Sequence, residues 1–303
     1  MTDWPLVYVV ILNWNLKDET AECAESVLQL DYPNVRALIV DNGSTDGSVE
    51  CLRSRFAQID VIANERNLGF TGGNNLGIRY GLEHGADYVF ILNNDTIVDR
   101  YLLSELVKVG EMDSRVGIAG PLILYHEDRN RIWDLGAREH GWLPVPLSIG
   151  RGQTDRGQFS SPLPLDYVTG CAMLVSRQVF DAIGLFEPEY FSYYEDNDFC
   201  RRAREAGFKI MGVPSAKLWH KVALTSSKVS ALARYLKVRN RMVFYQRYPH
   251  GPSSLLTKLY LVADAVRMGA VDLTHGQLGL LKPLARGLYD GCRGDLSRLR
   301  YYE

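Results

Sequence analysis

The sequence predicts an α/β protein: a mostly parallel sheet with helices on both faces, followed by a helical C-terminal region. Two observations carry this prediction. Apolar runs that end on polar residues alternate with segments of helical spacing through residue 99, and such β-α-β-α-β alternation is typical of a parallel, doubly wound sheet. After residue 228 the pattern becomes helical, and "SALARYLKVRNRMVFYQRY" is its clearest segment.

The elements follow in order from their local patterns. "PLVYVVILNWN" is a continuous apolar run, as expected of a parallel strand covered on both faces. A helix follows it, and "VRALIVDNGSTDGS" predicts a second strand closed by turn residues. After a short helix and the strand "DVIANERN", the Gly- and Asn-rich "NLGFTGGNNLGI" leads to the strand "YVFILNND".

The second half is less regular. "VGIAGPLILY" predicts a further strand, and a loop-rich stretch extends through residue 164. "LDYVTGCAMLVSRQVFDAIG" resumes as a strand and a short helix. "EPEYFSYYEDNDFCRRAREAGFKIMGVPSAKLWH" then places acidic residues at the start of a helix and a histidine at the end of a strand.

Composition excludes several classes of protein. With 303 residues, 46% of them hydrophobic, the chain can bury a substantial core and is not disordered. Its five cysteines form no C-x-x-C pair and are too sparse for a disulfide framework. No uncharged apolar run approaches the ~18 to 20 residues that a membrane span requires. We therefore expect a cytoplasmic protein.

Charge is distributed unevenly along the chain. The net charge is only −2, but residues 221–303 carry 14 Lys and Arg against 5 Asp and Glu. This basic region predicts either peripheral contact with lipid headgroups at the inner face of a membrane or contact with a phosphate-bearing acceptor. A solvated helical surface is the alternative. We expect no nucleic-acid partner, and the sequence leaves a homodimer open.

Polar residues follow three of the predicted strands. In parallel sheets, ligands bind at the carboxyl ends of the strands, so these residues predict one shared crevice. They are Asn13 and Asn15 after the first strand, Asp41 and Asn42 after the second, and Asn93, Asn94 and Asp95 after a later one.

Several of these residues allow more than one interpretation. Asn93 and Asp95 project to the same side of a strand and could bind a divalent cation that also holds diphosphate oxygens, or could form an ordinary turn. Asp41 could accept hydrogen bonds from a nucleobase or ribose, or could close a turn. The glycines of "NLGFTGGNNLGI" lack the dinucleotide-binding spacing; they could let backbone approach a diphosphate or could form a tight turn.

An acidic cluster begins one of the later helices. Glu195, Asp196 and Asp198 lie where the helix dipole favours negative charge, so helix capping is one explanation. The preceding "PEYFSYY" is unusually aromatic for a loop, as expected of the wall of a sugar-sized pocket. His220, which ends a strand, could be an interior histidine or a metal ligand.

Together these segments carry a family resemblance. Six motifs occur in an order that closely resembles the family 2 inverting glycosyltransferases of GT-A fold, and within them the bacterial rhamnosyltransferase-like branch. The match covers roughly residues 5–245. The motifs are "VVILNWN", "SVLQLDYPNVRALIVDNGSTDGS", "NLGFTGGNNLGI", "VFILNNDT", "TGCAMLVSRQVFDAIGLFEPEYFSYYEDNDFCRRAREAGF" and the histidine before Ser226 and Ser227.

The resemblance implies a domain organisation and a reaction. Residues 1–228 would form the catalytic domain, with a nucleotide-sugar half of about 1–120 and an acceptor half of about 121–228; residues 229–303 would form the helical region. The reaction would be a single displacement that inverts the anomeric centre. The sugar source would be dTDP-rhamnose or a UDP-sugar such as a UDP-hexose, and the acceptor a lipid-linked saccharide or another glycan.

The resemblance also implies residue roles. Asp95 would be the main ligand of Mg²⁺ or Mn²⁺, with Asn93 standing where the family usually has a first carboxylate and His220 as a further ligand. Asp196 would be the general base, with Glu195 orienting the acceptor or tuning its neighbour. The nucleotide-sugar-binding residues would be Asn13, Asn15, Asp41, Asn67, Gly73, Asn74 and Asn94.

Two other functional classes compete with this assignment. A nucleotide-sugar-binding protein without catalysis would keep Asp41 and Asp95 but would have no need of Asp196. An oxidoreductase of the Rossmann class would need a phosphate-binding fingerprint that this sequence lacks.

Overall fold

The computed structural model describes residues 4–222, 230–249 and 253–296. Within these ranges the chain forms a ten-stranded sheet, a separate two-stranded ribbon and nine α-helices. The strands are β1 (Val7–Asn13), β2 (Val35–Asp41), β3 (Asp60–Ala63), β4 (Tyr88–Asn93), β5 (Thr96–Val98), β6 (Val116–Tyr125), β7 (Ile132–Asp134), β8 (Ala137–Glu139), β9 (Pro146–Ser148), β10 (Leu163–Leu165), β11 (Ala172–Ser176) and β12 (Lys209–His220).

The helices flank this sheet and then form a bundle of their own. They are α1 (Lys17–Leu28), α2 (Ser48–Arg55), α3 (Gly69–Glu83), α4 (Leu102–Met112), α5 (Arg177–Ile183), α6 (Glu195–Glu205), α7 (Ala231–Arg247), α8 (Ser254–Thr274) and α9 (Leu281–Cys292). None of these helices is long and apolar enough to cross a bilayer.

The sheet is mixed but mostly parallel on the side that carries the site. Its order is β10-β12-β6-β11-β4-β1-β2-β3, with β5 paired to β12 and β7 paired to β6. Strand β1 is parallel to both β2 and β4. The chain runs from β1 to one side of the sheet and later returns on the other side, so the ends of β1 and β4 flank a topological switch point, where such folds bind ligands.

Alternate residues of β1 pack into two cores, one on each face of the sheet. Val7, Val9 and Ile11 belong to the core under α1 and α4. Tyr8 and Val10 belong to the core under α3, α5 and α6. This double coverage explains why the strand is a continuous apolar run rather than an alternating one.

The Gly- and Asn-rich segment forms helix α3, so its interpretation as a tight turn is wrong. Its glycines allow the helix to approach the sheet closely. A Cβ at Gly73 would lie 2.3 Å from Leu12 Cδ1, and one at Gly77 would lie 2.3 Å from Val10 Cγ1. The glycine spacing thus reflects helix-to-sheet packing, which a single-sequence pattern does not distinguish from a loop.

The C-terminal helices pack against one another and against the part of the chain that forms the sheet. Tyr190, which precedes α6, shares an apolar cluster with Val243 of α7 and with Leu296. The expected boundary between residues 228 and 229 lies outside the described residues. The helical region after residue 229 is nevertheless joined to the rest of the fold through this shared core.

Candidate active site

A cavity of about 880 Å³ opens at the carboxyl ends of β1 and β4, a volume within the usual range of small-molecule sites. Asn67, Asn93 and Asn94 line its sheet side. Side chains of α7 and α8, including Leu236 and Leu261, line the opposite wall. The cavity therefore lies between the strand ends and the helical region.

A buried hydrogen-bond network ties the strand ends together behind the cavity wall. The Asn13 side chain donates to Asp41 at 2.6 Å and accepts from Thr20 at 2.7 Å and from Asn94 at 3.1 Å. Asp41 also accepts from the Ser44 backbone N–H at 2.9 Å. Because both Asp41 oxygens have protein partners, its geometry favours the turn-closing interpretation.

The other expected nucleotide-sugar residues divide between the cavity and the scaffold. Asn67 lines the cavity and accepts from Asn42 at 2.9 Å. Asn15 lies at the surface and accepts from the Thr45 backbone at 2.7 Å. Asn74 is buried and donates to the Phe70 carbonyl, and Gly73 packs on the sheet as described. Only Asn67 and Asn94 of this set line the cavity.

Asp95 and His220 form a buried pair at one end of the cavity. The distance from His220 Nε2 to Asp95 Oδ1 is 3.1 Å, and the edge of Trp133 packs on the His220 ring. Burial lowers the pKa of His220, but the adjacent Cys171 and Asp95 outweigh it and raise that pKa to about 10. The structure thus brings together two residues that are 125 positions apart in the sequence.

The donor set at this end is compatible with a hard divalent cation. Asp95 and His220 line the cavity, and so does Asn93. Among the described residues no group of three or more His, Cys, Asp and Glu is placed to hold a metal ion. One or two protein ligands suffice where substrate phosphates complete the coordination, so these residues fit a cation shared with a diphosphate.

Glu195 and Asp196 begin α6 and also line the cavity. Asp196 Oδ2 accepts from the Tyr167 hydroxyl and from the Gly170 N–H, both at 2.9 Å. Burial raises the pKa of Asp196, although these hydrogen bonds oppose the shift. Asp196 does not cap α6, because the capping position belongs to Tyr194.

Glu195 differs from its neighbour in that one of its carboxyl oxygens has no hydrogen-bond partner. Its Oε2 is buried and has no hydrogen-bond partner. Burial, and then the Asp196 carboxylate, raise the pKa of Glu195 well above its ordinary value. Because Glu195 lines the cavity, its unpartnered Oε2 is available to a ligand.

Asp198 has a structural environment rather than a cavity position. It is fully buried and lies 2.7 Å from Arg202 and 3.1 Å from Arg247. The Tyr248 hydroxyl also donates to it. Loss of the Asp198 carboxylate would leave Arg202 and Arg247 without their shared counter-charge.

The sequence analysis did not predict several polar residues of the cavity, among them Asp134, Arg151 and Tyr167. Asp134 ends β7 much as Asn93 ends β4, a signal that could have been used; burial raises the pKa of Asp134 to about 6, although Arg151 opposes the shift. Arg151 lies 3.5 Å from Asp134. No local pattern distinguishes Tyr167 or Arg151 from ordinary loop residues.

Comparison with solved structures supports the fold. The chain is similar to a mannosyltransferase from Pyrobaculum calidifontis in complex with GDP-Man and Mn²⁺, at 16% identity and a TM-score of 0.62, covering 96% of this chain and 88% of that one. It is also similar to GalNAc-T7 with UDP, GalNAc and Mn²⁺, at 19% identity and a TM-score of 0.61, covering 85% of this chain and 54% of that one.

Comparison with curated sequences finds relatives that are rhamnosyltransferases. The dTDP-rhamnosyl transferase RfbF of Shigella flexneri is 24% identical over 97% of this chain and 98% of its own length. The N-acetylglucosaminyl-diphospho-decaprenol L-rhamnosyltransferase of Mycobacterium tuberculosis (strain ATCC 25618 / H37Rv) is 28% identical over 64% of this chain and 69% of its own length.

A family model agrees with the geometry and with these relatives. The model described as "Glycosyl transferase family 2" matches residues 8–184, more than half of the chain. This range contains β1, β2 and β4, whose ends form the sheet side of the cavity. The chain belongs to glycosyl transferase family 2 and is a rhamnosyltransferase-like glycosyltransferase of GT-A fold.

Proposed function

We propose that this protein transfers rhamnose from dTDP-rhamnose to a glycan or lipid-linked saccharide, with inversion at the anomeric carbon, in surface polysaccharide synthesis. The single observation that carries the proposal is the convergence of Asp95–His220 and Glu195–Asp196 on one cavity. A displacement at the anomeric carbon requires a base on one face and neutralisation of the departing diphosphate on the other. The full-length similarity to RfbF favours rhamnose.

Asp95, His220 and Asn93 would hold a divalent cation beside the diphosphate. Such a cation supplies positive charge for the leaving group. His220 must lose its proton before Nε2 can act as a ligand, since metal-bound histidine is neutral. Asn93 would contribute a neutral amide oxygen at the position where the family usually has a carboxylate. Asp95 would therefore be the anionic ligand of the site.

Asp196 would accept the proton of the attacking acceptor hydroxyl. Tyr167 and the Gly170 N–H hold its Oδ2, and the Asn197 N–H donates to its Oδ1 at 2.8 Å, so the orientation of the carboxylate at the cavity is fixed. Burial raises its pKa, and a carboxylate of raised pKa accepts a proton more readily. Glu195, whose pKa burial raises, would orient the acceptor through Oε2, which has no hydrogen-bond partner among the described residues.

Asn67 and Asn94 would contact the nucleotide sugar directly, because they line the cavity. Asn13, Asp41 and Asn74 would act by holding the strand and helix that carry those contacts. Asn15 would hold the turn after β2 through Thr45. Gly73 would serve by letting α3 approach the sheet.

The helical wall of the cavity favours an amphiphilic acceptor. Leu236, Leu261 and Met268 make this wall largely apolar, whereas Lys237 adds positive charge near it. Arg241 also lines the cavity but is paired with Asp264. A lipid diphosphate-linked saccharide presents the same combination of apolar chain and negative charge. The relative from Mycobacterium tuberculosis, by its name, acts on such an acceptor.

Helix α8 would also provide the peripheral membrane contact. Leu255, Leu259, Val262 and Val266 follow a spacing of four, three and four residues, which places them on one face of a helix. All four are exposed, three of them by more than half: Leu255 63%, Leu259 57% and Val266 65%. With the excess of basic residues after residue 220, this face fits the inner, anionic surface of a membrane.

The test is product formation with a panel of nucleotide sugars in the presence of Mg²⁺ or Mn²⁺. We expect transfer from dTDP-rhamnose, with inverted configuration in the NMR spectrum of the product. Transfer only from a UDP-hexose would correct the sugar source, and a product of retained configuration would reject the mechanism. Binding without transfer to any acceptor would favour the non-catalytic alternative.

A further inference from the structure

The loop that leads into Glu195 has an unusual backbone. Phe191, Tyr193 and Tyr194 have φ values of 64°, 70° and 72°, in the left-handed region that residues other than glycine rarely adopt. A 2.7 Å hydrogen bond from the Ser192 N–H to the Tyr190 carbonyl closes a three-residue turn around Phe191, a strained γ-turn. Such a loop persists only where its surroundings hold it.

Two side chains of α7 stabilise this loop conformation. The Asn240 amide donates to the carbonyl oxygens of Tyr190, Ser192 and Tyr193 at distances of 2.9, 2.9 and 2.8 Å. The Arg239 guanidinium donates to the Tyr190 carbonyl at 3.3 Å. It also donates to Asn240 Oδ1 at 2.8 Å, which fixes the orientation of the amide, because the opposite orientation would set two donors against each other.

Both side chains are fully buried, with 0% of their surface exposed. Arg239 completes its hydrogen bonding with the carbonyl oxygens of Glu189 and Leu296, at 3.0 and 3.2 Å. Its burial costs desolvation energy and lowers its pKa. A guanidinium and an amide directed at backbone carbonyls specify the shape of that backbone, which a purely apolar contact would not do.

We propose that Arg239 and Asn240 are positioning residues that place Glu195 and Asp196 at the cavity. Neither side chain lines the cavity; both act through the loop of residues 190–194. The inference rests on the proposed function, because it concerns the base of that reaction. It makes α7, which follows the segment matched by the family model, part of the catalytic unit.

The test compares Asn240→Ala with Gln246→Ala. Gln246 lies on the same helix and also donates to a carbonyl, that of Gly291 at 2.8 Å, but it does not contact the loop. For Asn240→Ala we expect kcat about 10²-fold lower, because a small displacement of a catalytic group has an effect of that size. The Kd for dTDP-rhamnose with Mn²⁺, measured by calorimetry, should change less than about threefold. Gln246→Ala should keep the parent kcat.

A second measurement reports the loop without relying on turnover. Amide hydrogen exchange of residues 191–195 should accelerate in Asn240→Ala, while that of β1 stays unchanged. Asn240→Ser keeps one hydrogen-bond donor and should give an intermediate kcat and exchange rate; it replaces the alanine variant if that variant does not fold.

The outcomes separate the two proposals. Absence of transfer by the parent protein from every nucleotide sugar would reject the proposed function. Parent-like kcat and loop exchange in Asn240→Ala, beside an active parent, would overturn only the positioning role. A fall in kcat matched by an equal loss of nucleotide-sugar binding would also overturn it, since the effect would then not be specific to the base.

Discussion

A substitution at Asp196 distinguishes the two interpretations of the acidic cluster, a general base and helix capping. If it is the base, Asp196→Asn keeps the shape and removes the proton acceptor, so kcat should fall roughly 10² to 10⁴-fold. The Kd for dTDP-rhamnose with Mn²⁺ should stay near its parent value. Steady-state kinetics at saturating nucleotide sugar and acceptor measure the first quantity, and calorimetry measures the second. Parent-like turnover would move the base elsewhere, with Glu195 the next candidate.

The control for this experiment follows from the structure. Asp198→Asn is not a suitable control, because Asp198 is buried against Arg202 and Arg247 and the change would disturb the first turn of α6. Glu205→Gln is the matched control: it alters a carboxylate on the same helix that is half exposed and pairs with Arg201. Glu205→Gln should leave kcat unchanged.

The second prediction concerns Asp95, the proposed anionic ligand of the cation. Asp95→Ala should abolish transfer and weaken nucleotide-sugar binding, because it removes the anionic ligand that links protein and cation. His220→Ala should have a smaller effect, since it removes a neutral ligand. Activity titrated with Mn²⁺ measures both. Normal turnover and normal dependence on divalent ions in Asp95→Ala would show that the cation lies elsewhere.

The difference in stability between the parent protein and Glu195→Gln should depend on pH. An unfolded chain loses the Glu195 proton near the ordinary pKa of 4.5, whereas the native protein retains it to higher pH because burial raises that pKa. The parent protein therefore loses stability as pH rises above 4.5 and through the raised native pKa. Glu195→Gln has no proton to retain, so its Tm relative to the parent should be higher at pH 8 than at pH 4.

Scanning fluorimetry of the two proteins across this range measures the difference. A difference in Tm that does not change with pH would show that Glu195 ionises normally in the native state.

Residue patterns predicted part of the site and missed part of it. Asp95 and His220 were recognisable because Asp95 follows β4 and His220 ends β12, and the carboxyl ends of parallel strands meet at one edge of a sheet. Asn13 and Asp41 were placed at the correct edge, but their mutual hydrogen bond could not be inferred from a strand pattern. Tyr167 reaches Asp196 from a loop 29 positions away, and no local signal marks such a contact.

The close packing of helix α3 on strand β1 can be tested by substitution of a glycine. Gly77→Ala should destabilise the fold by about 1 to 3 kcal/mol, because the new methyl group would overlap Val10 and force the helix away from β1. Urea denaturation measures the change. Arg79→Ala, on the exposed side of the same helix, should alter stability by less than about 0.5 kcal/mol. Equal stability of both variants would show that α3 can move without cost.

Element types were predicted better than element packing. Strands such as β1 and β4 follow from apolar runs bounded by polar residues, and the acidic start of α6 follows from its charge. Helix α3 was not predicted, because glycine lowers helix propensity and the packing that overrides this lies in β1. The contacts of Arg239 and Asn240 with the loop of residues 190–194 could not be predicted either, since their partners are backbone carbonyls about 50 positions away.

At the scale of the whole molecule, α8 should bind membranes. The protein should co-sediment with vesicles that contain phosphatidylglycerol, less at high salt because screening weakens the charge attraction. The double change Leu259→Glu and Val266→Glu should reduce binding at least about tenfold, since each side chain loses its apolar transfer energy. Met112→Glu, an equally exposed apolar position on α4, is the matched control and should bind like the parent.

The same variants test the homodimer. If the parent protein is dimeric by sedimentation velocity and the α8 double variant is monomeric with unchanged vesicle binding, the apolar face of α8 is a subunit interface and the membrane assignment is wrong.

Arg239 donates a hydrogen bond to the Leu296 carbonyl, so the residue that holds the loop of residues 190–194 depends in part on the end of the described chain. A chain leaves the ribosome N-terminus first, so Asn94, Asp95 and His220 emerge before α7 and well before Leu296. On the proposed assignment, a nascent or prematurely terminated chain acquires nucleotide-sugar binding before it acquires a positioned base. A stop codon in the last helices would then produce a protein that sequesters activated sugar without using it, and that competes with the intact enzyme in the same cell.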